Sequence, residues 1–307
     1  MNTTISYGKG EVALYRTYAT PLSGLAPIPE SSFTGRSNIL FAAEVLVEVF
    51  GDNFLPAYTE GDNSNVVATD SMKNFVLQKA LEFSGSTLEG YLDFLGHQFL
   101  LTYPQMQSLR VSAREVPFTA ARVPVADASA WTESPVLFGR GRDDYATAML
   151  QLERDGDDVK IVDHRCGQAG LQWIKVTGSS FASFVRDAYT TLPERPDRPL
   201  FIYLDAAWRY ADTAAMLADD HTHYVAAEQV RDLLGTVFHE FVSMSIQHLI
   251  HTMGTRLLDR FPQLAEVSFE AQNRLWDTAF EAGDGSKVKV YCDPRPPYGL
   301  IRLTLAR

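Results

Sequence analysis

Asn38 to Phe50 reads NILFAAEVLVEVF, with Ile39, Phe41, Ala43, Val45, Val47 and Val49 at alternate places and Glu44 and Glu48 between them. Successive side chains of a strand point to opposite faces, so this period of two predicts a long strand with one apolar and one polar face. Toward the N-terminus, Pro21 to Gly35 is a Pro/Gly/Ser-rich connection. Before it, Glu11 to Ala19 (EVALYRTYA) follows the breakers Gly8 and Gly10 and predicts another strand. Toward the C-terminus, Asp70 opens a helical pattern carrying Met72, Phe75, Val76 and Ala80, ending near Ser84-Gly85. Ser86 or Thr87 then caps a second helix to about Leu101, closed by Pro104. From Ser108 to Arg114, apolar Leu109, Val111 and Ala113 alternate with Arg110, Ser112 and Arg114, a half-buried antiparallel strand.

Val123 to Asp144 carries turn residues and little periodicity, so a domain boundary is expected there, giving domains 1–144 and 145–307, with Tyr145 to Leu152 a further strand. The second half repeats the plan. Val159 to Asp163, Leu171 to Thr177 and Leu200 to Tyr210 read as strands. Tyr224 to about Phe241 reads as a helix through Val230, Leu233, Leu234, Val237 and Phe238, and a second carries Ile246, Leu249, Ile250, Met253 and Leu257. Strands follow at Glu266 to Phe269, Lys287 to Tyr291 and Leu300 to Leu305. Strands around paired helices, twice over, predict an α+β fold with a largely antiparallel sheet and the helices on one face. The repeat is one of pattern, not of letters.

The 307 residues are 46% hydrophobic and 21% charged, enough for a substantial core and inconsistent with overall disorder. A net charge of -11 argues against nucleic acid as a partner, because phosphate neutralisation needs clustered Lys and Arg. The short Gly139-Arg140-Gly141-Arg142 run is followed at once by Asp143 and Asp144 and reads as a solvated turn. Two cysteines, Cys166 and Cys292, indicate no disulfide framework, and no apolar run approaches a membrane span, so a soluble cytoplasmic protein is expected. His248 and His251 stand three apart on a helix, but no acidic ligand has matching spacing, and His239-Glu240 lacks the second His of a zincin. Ser179 and Ser180 lack the nucleophile elbow, and no phosphate-binding glycine loop or dinucleotide fingerprint is present.

Two dense stretches remain: Asn63 to Asn74 (NSNVVATDSMKN) and Phe181 to Arg198 (FASFVRDAYTTLPERPDR). With Tyr7-Gly8-Lys9 and Pro297-Tyr298-Gly299-Leu300-Ile301 they form an ordered set covering nearly the whole chain. Its central members are Val67-Ala68-Thr69-Asp70-Ser71, Lys73-Asn74, Arg186-Asp187, Tyr189-Thr190-Thr191-Leu192 and Asp197-Arg198. The set resembles urate oxidase (uricase), a cofactor-free family built from two tandem tunnelling-fold (T-fold) domains. The resemblance implies a sheet that closes into a barrel in a homotetramer, with urate and dioxygen as small-molecule partners and no metal. It implies active sites between subunits, one chain supplying Lys9 and Thr69 and its neighbour supplying Phe181, Arg198 and Gln247.

In that reading Lys9, otherwise an ordinary surface lysine, is the catalytic partner of Thr69, moving a proton through the threonine hydroxyl. Thr69 and Asp70 also stand where a helix begins; Asp70 is a good cap by type, and a helix N-terminus suits an anion. Phe181, by composition a core residue, is implied to stack on the flat purine, and Arg198 to clamp its edge with a planar fork. Gln247 and Ile246 complete the edge contacts, Leu192 lines the pocket, and Asn273 holds dioxygen or water above the ring. The chain departs from the family pattern at Leu275, where a relay histidine is expected. Either Lys9 and Thr69 work with ordered water, or activity is reduced or lost. Two other readings stand beside this one: a T-fold enzyme acting on a pterin or another purine-like ring, and a non-catalytic purine-binding oligomer.

Overall fold

A computed structural model of the chain describes residues 4–274, 276, 278–294 and 296–307. The chain divides into two compact units. The first takes the chain up to Pro27, Phe33–Gly167 and Asp212–Val225; the second takes Ile28–Ser32, Gln168–Ala211 and Ala226–Arg307.

The first unit holds β1 (Ser6–Thr17), β2 (Leu40–Phe50), α1 (Leu55–Thr59), α2 (Thr69–Glu82), α3 (Leu88–Thr102), β3 (Ser108–Glu115), β4 (Thr119–Pro124), β5 (Trp131–Gly139), β6 (Tyr145–Asp155), the start of β7 (Asp158–Lys175) and α4 (Ala214–Leu217). Its main sheet runs β1-β2-β3-β6-β7. Val45 faces Ala113, Val47 faces Val111 and Val49 faces Leu109 across β2 and β3, and Leu150 and Leu152 continue the rows on β6. Val45, Val47, Val49, Val111, Leu109, Leu150 and Leu152 are all fully buried. Each contributes about 1.5–3 kcal/mol by leaving water. The other face is polar, with Arg114 paired to Glu44 at 3.0 Å. Helix α3 begins where the Thr87 hydroxyl accepts from the Gly90 amide at 3.1 Å. It lies so close to the sheet that a Cβ on Gly96 would stand 2.6 Å from Leu152 Cδ1.

The second unit holds the rest of β7, then β8 (Leu200–Tyr210), α5 (Ala227–Glu240), α6 (Ile246–Arg260), β9 (Leu264–Arg274), β10 (Thr278–Glu281), β11 (Lys289–Tyr291) and β12 (Gly299–Ala306). Its sheet runs β7-β8-β9-β12, with β8, β9 and β12 antiparallel. Val230, Leu233, Leu234 and Val237 of α5 and Leu249, Ile250, Met253 and Leu257 of α6 are buried against it. The Lys175 ammonium donates to the carbonyls of Phe238 and Phe241 at 2.8 and 3.0 Å, satisfying the end of α5.

The α+β class, the antiparallel sheet and the paired helices agree with the sequence expectation. Two local expectations are corrected. Val159 to Asp163 and Leu171 to Lys175 are parts of one strand, β7, which runs unbroken through Gly167 and Gly170, and Val176 and Thr177 lie past its end. The segment from Val123 to Asp144, read as turn residues with little periodicity, holds the end of β4 and all of β5, a hairpin that forms a separate two-stranded sheet. Its exposed apolar residues, among them Val136 at 81%, hide the alternation that marks a half-buried strand. Strand β6 pairs antiparallel with β3, and the compact units divide inside β7 at Gly167/Gln168.

Strand β1 begins at Ser6, upstream of the glycines that read as breakers. Lys9 pairs with Val47 and Val12 with Val45, so one extra residue on β1 is accommodated as a bulge, with Glu11 at φ 54°. A single inserted residue reverses the facing of everything before it. Lys9 therefore shares the face of Val47 and Val12, the face that α2 and α3 cover. Gly8 lets the strands approach: a Cβ there would fall 1.8 Å from the Val47 carbonyl oxygen. Gly8→Ala is expected to destabilise the protein by about 1–3 kcal/mol, as overpacking does, read as a lowered midpoint in urea unfolding.

Candidate active site

In the first unit, Lys9, Thr69 and Asp70 gather where β1 meets the start of α2. The Tyr7 hydroxyl accepts from the Val67 amide at 3.1 Å, fixing the approach to the helix, and the Tyr7 ring packs edge-on against Phe54 at 5.1 Å. Thr69 is the first residue of α2 and is half-buried. Asp70 does not cap the helix. The N-cap is Ala68, which has no side-chain acceptor, while Asp70 turns outward to accept from Lys73 at 2.7 Å and Asn74 at 3.1 Å. The Lys73 hydrogen bond and charge, then the Asn74 amide and the charge of Lys9, hold the Asp70 carboxyl below its usual range. The ammonium of Lys9 is thus within electrostatic reach of the first turn of α2, whose N-H groups carry no side-chain cap.

Phe181, Leu192, Arg198, Ile246, Gln247 and Asn273 belong to the second unit, and of these Phe181 and Arg198 are brought into contact. The chain leaving β7 is pinned at both ends of a long loop. Phe181 and Arg195 exchange backbone hydrogen bonds of 2.8 and 2.9 Å, and the Arg198 amide donates to Ser179 O at 2.8 Å. The Ser180 amide donates to Ser243 O at 2.8 Å, which joins the loop to the segment leading into α6. There the Ser245 hydroxyl accepts from the His248 amide, placing Ile246 and Gln247 in the first turn. Ile246 is buried in the unit's core, Gln247 is exposed, and Leu192 lies at the loop's surface. Asn273 sits on β9 between Ile202 of β8 and Gly299 of β12.

The Arg198 guanidinium carbon stands 5.5 Å from the centre of the Phe181 ring. Burial, and then the charge of Arg195, lowers the guanidinium's affinity for its proton, and its Nε is buried with no hydrogen-bond partner in the protein. A buried charged donor without a partner is costly unless a ligand supplies one. Asp197 does not neutralise it. That carboxylate accepts from the Thr177 hydroxyl at 2.6 Å and the Gly178 amide at 2.7 Å, which holds it below the usual range and ties down the strand end that carries Ser179. The flat apolar ring beside a planar donor fork is suited to a planar heterocycle with acceptors on its edge.

Leu275 lies outside the described residues. Among the described residues no group of three or more His, Cys, Asp or Glu is placed to hold a metal ion, and the His248 ring packs edge-on against Phe241 at 4.6 Å. No helix among them is long and apolar enough to cross a membrane. Both cysteines are free thiols, Cys166 buried and Cys292 exposed. The anchoring role of Asp197 was not evident from sequence, since its acceptor bonds depend on a backbone turn some twenty residues away.

Residues 48–138 and 164–302 match the family described as Uricase. The chain is 48% identical over 307 residues to the Uric acid degradation bifunctional protein PucL of Bacillus subtilis, covering 100% of this chain and 62% of that one. It therefore spans about three-fifths of the length of that relative. It is 48% identical over 303 residues to a uricase of Haloferax volcanii, covering 99% and 98% of the two chains. The crystal structure of a urate oxidase from Bacillus sp. TB-90 superposes with a TM-score of 0.95 at 45% identity, covering 99% of each chain.

Asp197→Ala is expected to speed amide exchange of the peptide containing Gly178 by about tenfold, in line with the loss of a charged acceptor. Because the folded carboxyl is held below its ordinary value, its contribution is present above about pH 4 and fades as pH falls through the lower folded value. Hydrogen-deuterium exchange at neutral pH and below pH 3 checks both, the variant and the parent converging in acid.

Proposed function

Because this chain belongs to the uricase family, we propose that it oxidises urate with dioxygen and water to 5-hydroxyisourate and hydrogen peroxide. The observation that carries this reading is the Arg198 fork beside Phe181, with its buried Nε left for a ligand. Urate lies flat against Phe181, its edge held by Arg198, with Gln247 adding a donor and an acceptor from the exposed first turn of α6. Ile246 and Leu192 bound the ring, and Asn273 holds oxygen or water over it.

Lys9 and Thr69 manage the proton. The ammonium, turned to the helix-covered face by the bulge, lowers the cost of taking a proton through the Thr69 hydroxyl. The uncapped start of α2 beside Asp70 favours the anion that results. That electron-rich dianion gives two electrons to dioxygen and is attacked by water, so the substrate supplies the reducing power and the protein supplies orientation and electrostatics. This assignment uses no metal and no organic cofactor.

The two residue sets belong to different compact units. In the proposed assembly, Lys9 and Thr69 of one chain complete a site whose Phe181, Arg198 and Gln247 come from a neighbour, in a homotetramer whose sheets close into a barrel. The doubled order of two strands, two helices and two strands supports two tandem T-fold domains. The free thiols accord with a reducing cytoplasm.

After chelation, the purified protein should consume urate absorbance and release peroxide. Lys9→Ala and Thr69→Ala should each reduce kcat by about a hundred- to ten-thousand-fold, the range for a lost proton-transfer group. Unimpaired variants would remove the dyad from the mechanism. On gel filtration the activity should elute with the tetramer, and a fully active monomer would refute the shared site.

A further inference from the structure

The ring that carries the proposed stacking is itself stacked. Phe184 lies on Phe181 with ring centres 4.9 Å apart and planes 12° from parallel. The Arg186 guanidinium stands 5.7 Å from the centre of Phe184 and donates to the Leu192 carbonyl at 3.3 Å. Consecutive contacts therefore run Arg198, Phe181, Phe184, Arg186, two rings between two cations, all within one loop.

The backbone is arranged to place Phe184 there. Ser183 holds φ 60°, in the left-handed region that a serine adopts at a cost, and its amide donates to Glu194 Oε1 at 3.1 Å. That turn brings the chain back so that a residue three places on returns over Phe181. Burial alone does not explain the arrangement, since a loop satisfied by any apolar contact has no need of a near-parallel pair held by a strained residue.

Resting on the urate-binding reading above, we propose that Phe184 is a positioning residue. It lies against Phe181 and sets the plane of that ring, which fixes how the ring meets the purine beside the Arg198 fork. Arg186 lies against the Phe184 ring and donates to the Leu192 carbonyl, which ties the stack to Leu192.

Equilibrium binding of urate under anaerobic conditions, with steady-state turnover in air, tests this on Phe184→Ala, Phe184→Leu and Phe184→Tyr. Loss of one aromatic contact predicts that Ala and Leu raise both Kd and KM about three- to tenfold while kcat changes less than about twofold, and that Tyr restores the parent values. Unchanged Kd in Phe184→Ala, or parent-like binding in Phe184→Leu, overturns the proposal, because packing without an aromatic plane then suffices. Tighter binding in Phe184→Ala also overturns it, since Phe184 would then occupy the purine's place. A parent protein that neither binds nor oxidises urate removes the functional reading itself, and this inference with it.

Discussion

One extra residue in β1 decides where the proposed proton chemistry stands. Between Lys9 and Val12 the ladder to β2 takes up a bulge, so that the lysine and the valine look to the same side of the sheet. In a regular strand they would face opposite ways, and the ammonium would lie on the wet face with Glu44 and Arg114. At the bulge Glu11 holds a positive φ. At Gly8 the partner carbonyl leaves no room for a side chain. The arrangement at the start of α2 follows from that register: Tyr7 meets Val67, and Lys9 acts on Asp70 across the first turn.

The candidate residues of the second unit are held by backbone rather than by side-chain chemistry. Phe181 and Arg198 lie far apart in sequence for a pair in ring contact, and the loop between them is closed by reciprocal amide bonds at Phe181 and Arg195 and by the Arg198 amide on Ser179. The loop's carboxylates serve this closure. Asp187 accepts from Tyr189 and Thr190, Glu194 from Ser183, and Asp197 from Thr177 and Gly178. Committed to turns, they do not form ion pairs with Arg198, whose Nε is buried without a hydrogen-bond partner. A salt bridge there would have stabilised the empty site and weakened it for an anion.

Much of this was readable in the letters. The alternation of Asn38 to Phe50 and of Ser108 to Arg114 became β2 and β3 with their valines fully buried, and Thr87 caps α3 as its residue type suggests. The site residues were readable only as members of a spaced set resembling one family, because each taken singly looks like core, cap or surface. Asp70 illustrates the limit. Its type predicts a cap, yet the N-cap is Ala68 and the carboxylate reaches Lys73 and Asn74 instead. The β4–β5 hairpin was invisible for the opposite reason, since its apolar residues are exposed and leave no binary pattern.

By itself, the sequence determined the class of fold, the covered and uncovered faces of its strands, and the family to which its spaced motifs point. Those depend on local periodicity and on residue identity, which the chain carries with it wherever it folds. Tertiary structure alone decided which face Lys9 joins, how Asp197 is spent, and that Phe184 lies on Phe181. Each of these depends on strand register or on a backbone turn closed by a distant partner, and a one-residue change in register reverses a side chain without altering the pattern from which it would be read.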